Sequence, residues 1–252
     1  MVWFRKAGWP GAQIWYQPGG LEGPNVVTSE SDLPALISNT FDGLYGGGEL
    51  VIDGAFSSGV VQIAQQLDLL ESLDVRFTNT KVVELGQATG EALFRNIKSK
   101  ICSDTPLVVN RTNTNNVSFL QQVTTGGIGP VWIKNIIWAP QDFSATNVNF
   151  MVLNSAGTTD WYFEDCSLSV DLTTPSALSR WFGVASVAPS ELNLNWYGPN
   201  AGQITAGNAQ FLSTALTGWD TTVTYGTFGG SLISLAGISW TANAPSIVSR
   251  QP

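Results

Sequence analysis

The chain has 252 residues, 43% of them hydrophobic, 12% charged and none histidine, with a net charge of −8. That length supports one good-sized core, while an acidic balance works against a surface that tracks phosphates, so no nucleic-acid partner is expected. The lack of His removes the commonest neutral-pH base, and with only two Cys it leaves no zinc-binding set; no metal or cofactor is expected.

Charged residues are sparse beside the ~25% of ordinary soluble domains, so turns and uncharged polar faces should dominate the surface. The opening Met1 to Lys6 carries no signal-peptide pattern, and no run is long and apolar enough to span a bilayer. An unprocessed, soluble product without a membrane partner is the expectation. Cys102 and Cys166 are expected to be buried free thiols. Without a secretory signal, the glycosylation patterns at Asn110 and Asn116 are read as accidental.

Residues 1–27 form an arm of aromatics and turn formers, including Trp3, Phe4, Trp9, Trp15 and Tyr16. Pro10, Pro18, Gly19 and Gly20 exclude a long helix there. Ser29 to Ile37, with Ser or Asp as cap and Pro34 in the first turn, predicts a short helix. A glycine turn then leads into a first strand, Leu50 to Asp53, with Asp53 and Gly54 ending it. Residues 60–73 fit both alternation and a helical stripe, and are read as strand.

From Asp74 to Val170 extended runs alternate with Thr, Asn, Gly and Ser clusters. Four of these runs share a signature, an apolar residue, any residue, then Asn or Asp: Phe77 with Asn79, Phe94 with Asn96, Ile133 with Asn135, Phe163 with Asp165. Strand alternation lets each pair share an interior face, so stacked copies would set aromatic on aromatic and amide on amide. That is the logic of a parallel solenoid, although the steps between copies are unequal. After Val170 the register loosens. The expected organisation is an arm, 1–27, and one domain, 28–250, with an N-terminal cap at 28–56 and irregular C-terminal strands at 171–250.

The helix and glycine turn leading into Leu50-Val51-Ile52-Asp53-Gly54, then stacked runs with Asn and aromatics, resemble the right-handed parallel β-helix proteins of the pectate-lyase and phage-tailspike type over about residues 29–170. The resemblance implies an all-β, three-sided right-handed coil plugged by an N-terminal helix, often trimeric. It also implies either glycan degradation or a structural place in a virion. The calcium-binding Asp clusters, Arg base and paired carboxylates of the enzymes have no residue-by-residue match here.

If Phe77, Phe94, Ile133 and Phe163 point inward, Thr78, Arg95, Lys134 and Glu164 form one outward column, and Arg76, Leu93, Trp132 and Tyr162 a second. Aromatics beside charges read as a protein contact face or as a glycan groove with Glu164 as acid, and the contact face is favoured. Asp160, Glu164 and Asp165 are the densest acidic cluster and the catalytic candidates under the glycan reading. The arm, Arg95, Trp132, Lys134 and Tyr162 are the expected partner-binding residues. The expectation is therefore a bacteriophage virion structural protein, made in the host cytoplasm, in capsid decoration or in a tail or fibre. Its partners would be itself, as a trimer by analogy with the fold, and other virion proteins. The alternative is a glycan-binding or glycan-degrading tailspike domain with a host surface glycan as partner.

Overall fold

The computed structural model describes residues 12–41, 48–69, 73–88, 90–111, 117–123, 128–139, 147–153, 158–171, 178–184, 191–197, 202–206, 208–212, 220–226, 238–239 and 246–250, and from position 168 onward through the backbone path. The described chain opens with β1 (Ala12–Tyr16) and β2 (Val26–Val27), a 3-10 turn (Glu30–Asp32) and α1 (Leu33–Phe41). Then follow β3 (Gly48–Asp53), β4 (Val60–Ile63), β5 (Leu67–Asp68), β6 (Leu73–Thr78), β7 (Val82–Leu85) and β8 (Ala92–Arg95). Two long strands alternate with shorter ones: β9 (Lys100–Arg111), β10 (Ser118–Gln122), β11 (Ile128–Trp138) and β12 (Asn147–Leu153). The later circuits are β13 (Thr158–Glu164), β14 (Ser167–Asp171), β15 (Leu178–Val184), β16 (Glu191–Tyr197), β17 (Gly202–Ala206) and β18 (Asn208–Leu212). Three strands complete the described chain: β19 (Asp220–Gly226), β20 (Ile238–Ser239) and β21 (Ser246–Arg250).

Strand partners lie one circuit away and run parallel, so the chain is a parallel β-solenoid. One face stacks β2-β1-β3-β6-β9-β11-β13-β16-β19-β21, and another stacks β5-β8-β10-β12-β15-β18-β20. Between them, β4 and β7 continue into the C-terminal halves of β9 and β11, then β14 and β17. We call these the first, third and second faces in that order. The strands β9 and β11 are long because each turns a corner and serves both the first and second faces.

Period-two patterning drives this. In β6, Leu73, Val75 and Phe77 are buried while Asp74, Arg76 and Thr78 face out. Strands β4 and β7 alternate likewise, and within the ambiguous stretch 60–73 the described strands are Val60–Ile63, Leu67–Asp68 and the first residue of β6. Phe94 meets Phe77 across the interior at 6.2 Å, and the ring stack continues through Phe119, Phe150 and Phe163 at 5.5, 5.3 and 6.4 Å. The core is therefore an axial file of aromatics drawn from different faces.

Helix α1 packs beside β1, next to the terminal β2 of one sheet order, and beside β5, the end of the other, and so covers that end of the coil. Leu33 and Ile37, one turn apart, bury the inward stripe. Of the Ser and Asp residues expected to cap, Ser29 makes no side-chain cap to the 3-10 turn, and its hydroxyl pairs with that of Ser31 at 2.7 Å. Glu30 ties this entry to the coil instead, accepting from the Ala64 amide at 2.6 Å.

Three sequence readings need correction. The four signature copies do not form one column: Phe94 and Asn96 follow the third face, whereas Asn79, Asn135 and Asp165 stand between the first and second. Mixing two corners produced the unequal steps. Nor do all the polar members line the interior: Asn96 is buried, whereas Asn79 and Asp165 are exposed and Asn135 is half-buried. Asn79, Asn96, Asn135 and Asp165 all have positive φ, 50° to 60°, and close corners, a left-handed conformation that short polar side chains tolerate. Finally, part of the stretch read as the arm is built into the coil, since β1 pairs in parallel with β3 and buries Ile14 and Tyr16. The strands beyond Val170 extend the same sheet orders, so the looser register there marks no change of architecture.

Candidate functional site

The outward side of the first face is a ladder of paired side chains. Gln13 donates to Glu49 at 2.6 Å, the Arg76 Nε donates to Glu49 at 2.8 Å, and Arg76 reaches Asp104 at 3.4 Å. These contacts join β1, β3, β6 and the corner of β9. Parallel pairing makes them possible, since Arg76 in β6 sits in register between Val51 of β3 and Cys102 of β9. The bond to Glu49 is the main reason the Arg76 guanidinium holds its proton more tightly than usual.

One circuit further on, Trp132 and Tyr162 are in register and stack, ring centroids 4.3 Å apart and planes 15° apart. Adjacent strands lie ~4.8 Å apart along the coil axis, so rings this close stack from one strand to the next. Trp132 is 41% exposed, and the ring face it turns toward Tyr162 is already used. Two positions along, Lys134 donates to Glu164 at 2.5 Å. That bond raises the Lys134 ammonium above its ordinary value.

A groove of about 440 Å³ lies where these two parts of the ladder meet, lined by Lys100, Cys102, Asp104, Trp132, Lys134 and Glu164 among others. Its depth comes from a step between circuits. Between Cys102 and Leu107 the strand β9 bulges outward, while its neighbour β11 passes from Lys134 to Ile136 through Asn135 alone. The Asn135 amide fastens the step, donating to the Ser103 carbonyl at 2.8 Å. Cys102 is half-buried rather than buried, and burial is the main cause that pushes its thiol up, so it is neutral and a poor nucleophile near pH 7. Cys166 is buried as expected.

The other candidates are dispersed. Trp132, Lys134, Tyr162 and Glu164 come together as the two-column reading required. Arg95 does not join them: it lies on the third face, in register with Asp68 and 3.8 Å from it. Leu93 is buried rather than outward. Tyr16 is buried in the core and Trp15 half-buried, so neither is a free docking side chain; burial, then Glu30, raises the Tyr16 phenol to about 12. Trp3, Phe4 and Trp9 lie outside the described residues. Of the acidic candidates, Glu164 is committed to Lys134, Asp165 is an exposed corner residue, and Asp160 aligns with Asn193 in the adjacent strand. Among the described residues no group of His, Cys, Asp or Glu is arranged to hold a metal ion, and no helix is long and apolar enough to cross a membrane.

Sequence reasoning missed Lys100, Cys102 and Asp104. Their alternation, Lys100-Ile101-Cys102-Ser103-Asp104, is itself a strand signal. The shared signature hides it by putting Phe94 in the column that belongs to Ile101, the residue in register with Val75 and Ile133. No protein-family model matches the chain, and neither the curated proteins nor the solved structures give a match.

Proposed function

We propose that this chain is a structural protein that works by lateral protein–protein contact, a component of a bacteriophage particle in capsid decoration or in a tail or fibre. Membership of the right-handed β-helix class typified by pectate lyases and tailspikes belongs to the same proposal. The observation that carries it is the chemistry of the first face. Glycan sites lay a free aromatic face flat against a sugar, whereas Trp132 and Tyr162 each spend one ring face on the other. Aromatics among Arg, Lys and paired carboxylates match the composition of protein interfaces. Glu164, the acid a glycosidase would need, spends its carboxylate on Lys134.

The test is the protein content of purified particles. The chain should be found there at a fixed copy number, and the double substitution Trp132→Ala with Lys134→Glu should lower that number while circular dichroism of the free chain is unchanged. A chain absent from particles sinks the reading.

A glycan-degrading tailspike domain is the second reading, favoured by the exposure of Trp132 at the edge of a groove. Release of reducing ends from host polysaccharide by the purified chain would establish it in place of the first.

A further inference from the structure

At the corner after β3, two neighbouring residues are fixed by unrelated demands. Asp53 is 5% exposed, and its carboxylate is claimed by the side-chain amides of Gln17 and Asn79, each at 2.9 Å, and by the Ala55 amide at 3.0 Å. Gly54 admits no side chain, because a Cβ there would meet the Gly59 Cα and the Thr80 Oγ1 at 3.1 Å, and the Asn79 carbonyl oxygen closer still. The corner therefore needs Asp followed by Gly.

That pair is the backbone sequence most prone to close on itself, since a glycine nitrogen is shielded by no side chain of its own. The Gly54 nitrogen bonds to the Asp53 carboxyl carbon, and the amide proton leaves with the carboxyl hydroxyl as water, giving a five-membered succinimide. Water then adds back at either carbonyl. Opening at one restores aspartate, while opening at the other routes the main chain through the side chain as isoaspartate, with one extra backbone methylene and no change in mass.

The folded corner opposes each requirement of that closure. The Gly54 N–H is held against another strand, donating to the Thr78 carbonyl at 3.1 Å. Asp53 is the last residue of β3, and ring closure demands rotation out of the extended backbone that the sheet imposes. Before its carboxyl can turn toward the nitrogen it must also give up its donors, two of which come from other circuits.

We propose that Asp53–Gly54 is a site of spontaneous isoaspartate formation, kept shut by the native corner and released when that corner opens. The change is a one-way exit from the fold. An added methylene cannot keep both the carboxylate among its donors and Asp53 in register with Thr78, so an isomerised chain does not regain the corner. The inference stands apart from whatever the first face contacts.

The full chain is held in warm neutral buffer with and without urea, and isoaspartate is located by peptide mapping with fragmentation mass spectrometry. In urea, Asp53–Gly54 should isomerise about as fast as Asp42–Gly43, the other Asp-Gly pair of the sequence. In native buffer the rate at Asp53 should fall at least about tenfold. Asn79→Gly keeps the left-handed corner and withdraws a donor, as Gln17→Ala does from the opposite side, and each should raise the native rate about tenfold. Circular dichroism checks both variants for folding, and the comparison of native with unfolded wild type involves no substitution. Isomerisation of native wild type at the unfolded rate, no isoaspartate at Asp53 in urea, or folded variants no faster than wild type would each overturn the proposal. After dilution from urea, isoaspartate at Asp53 should be confined to chains that fail to refold. Equal amounts in folded chains would overturn the one-way exit.

Discussion

Asn79 donates to Asp53 at 2.9 Å across one full circuit, the two residues being 26 apart in the chain. Asp53 also accepts from Gln17 at 2.9 Å and from the Ala55 amide at 3.0 Å, so a single buried carboxylate joins successive circuits at one corner. Asp53→Ala strands those donors and should cost about 1–3 kcal/mol, read as a lower urea midpoint. An unchanged midpoint would mean that the corner is held by its backbone alone.

The left-handed corners make a sharper distinction. Asn135→Gly keeps access to φ 60° and should change stability by less than about 1 kcal/mol, the loss of its bond to Ser103 being offset by relief of backbone strain. Asn135→Val meets both penalties and should cost about 2 kcal/mol or more. If glycine were as damaging as valine, the amide would matter for its side chain and the corner account would fail.

Gly54 has its own constraint, since a Cβ there would lie 2.7 Å from the Asn79 carbonyl oxygen, a backbone atom with little room to move. Gly54→Ala should destabilise by about 1–3 kcal/mol, and thermal melts of the pair would show it. A neutral result would require the corner to relax.

Alkaline pH should loosen the fold through two buried acids. Tyr16 is raised from 10.0 to about 12 and Cys166 from 9.0 to about 12, in each case mainly by burial. Above the ordinary values the unfolded chain releases protons that the folded chain keeps, so stability present below pH 9 declines as pH rises toward 12. The slope approaches about 1.4 kcal/mol per pH unit for each group. Urea midpoints at stepped pH for wild type and Tyr16→Phe should separate the phenol's share, because the variant loses only the part that begins near pH 10.

The Lys134–Glu164 pair should matter little to stability. Both side chains are about two-fifths exposed, so Glu164→Gln should cost no more than about 0.5 kcal/mol, less in salt. A large loss of sugar-releasing activity in that variant would instead show Glu164 to be the acid of a glycosidase.

Much of the solenoid could be read from residues such as Leu73, Val75 and Phe77, whose alternation with polar neighbours needs no knowledge of the third dimension. The circuit length could not. It is set by three corners of different sizes, and the bulge before Leu107 faces a neighbour that turns at Asn135 alone, so equal positions on the coil are unequally spaced in sequence. The site was half legible for the same reason. Trp132, Lys134, Tyr162 and Glu164 fell into place because both strands carry the same signature. Lys100 and Asp104 did not, since their strand carries no such copy, and Arg95 was misplaced because its copy belongs to another face.

The end covered by α1 also bears on how the molecule comes into being. A strand of this coil finds no partner until the chain has travelled a complete loop, and closing a first loop without a template is entropically expensive. With Leu33 and Ile37 already offering an apolar seat, the earliest circuit meets a surface on which to settle, and each later one meets the circuit before it. Synthesis from the amino end would therefore lay the rod down in order, so damage to that seat should reduce the yield of folded chain more than equal damage in a late strand.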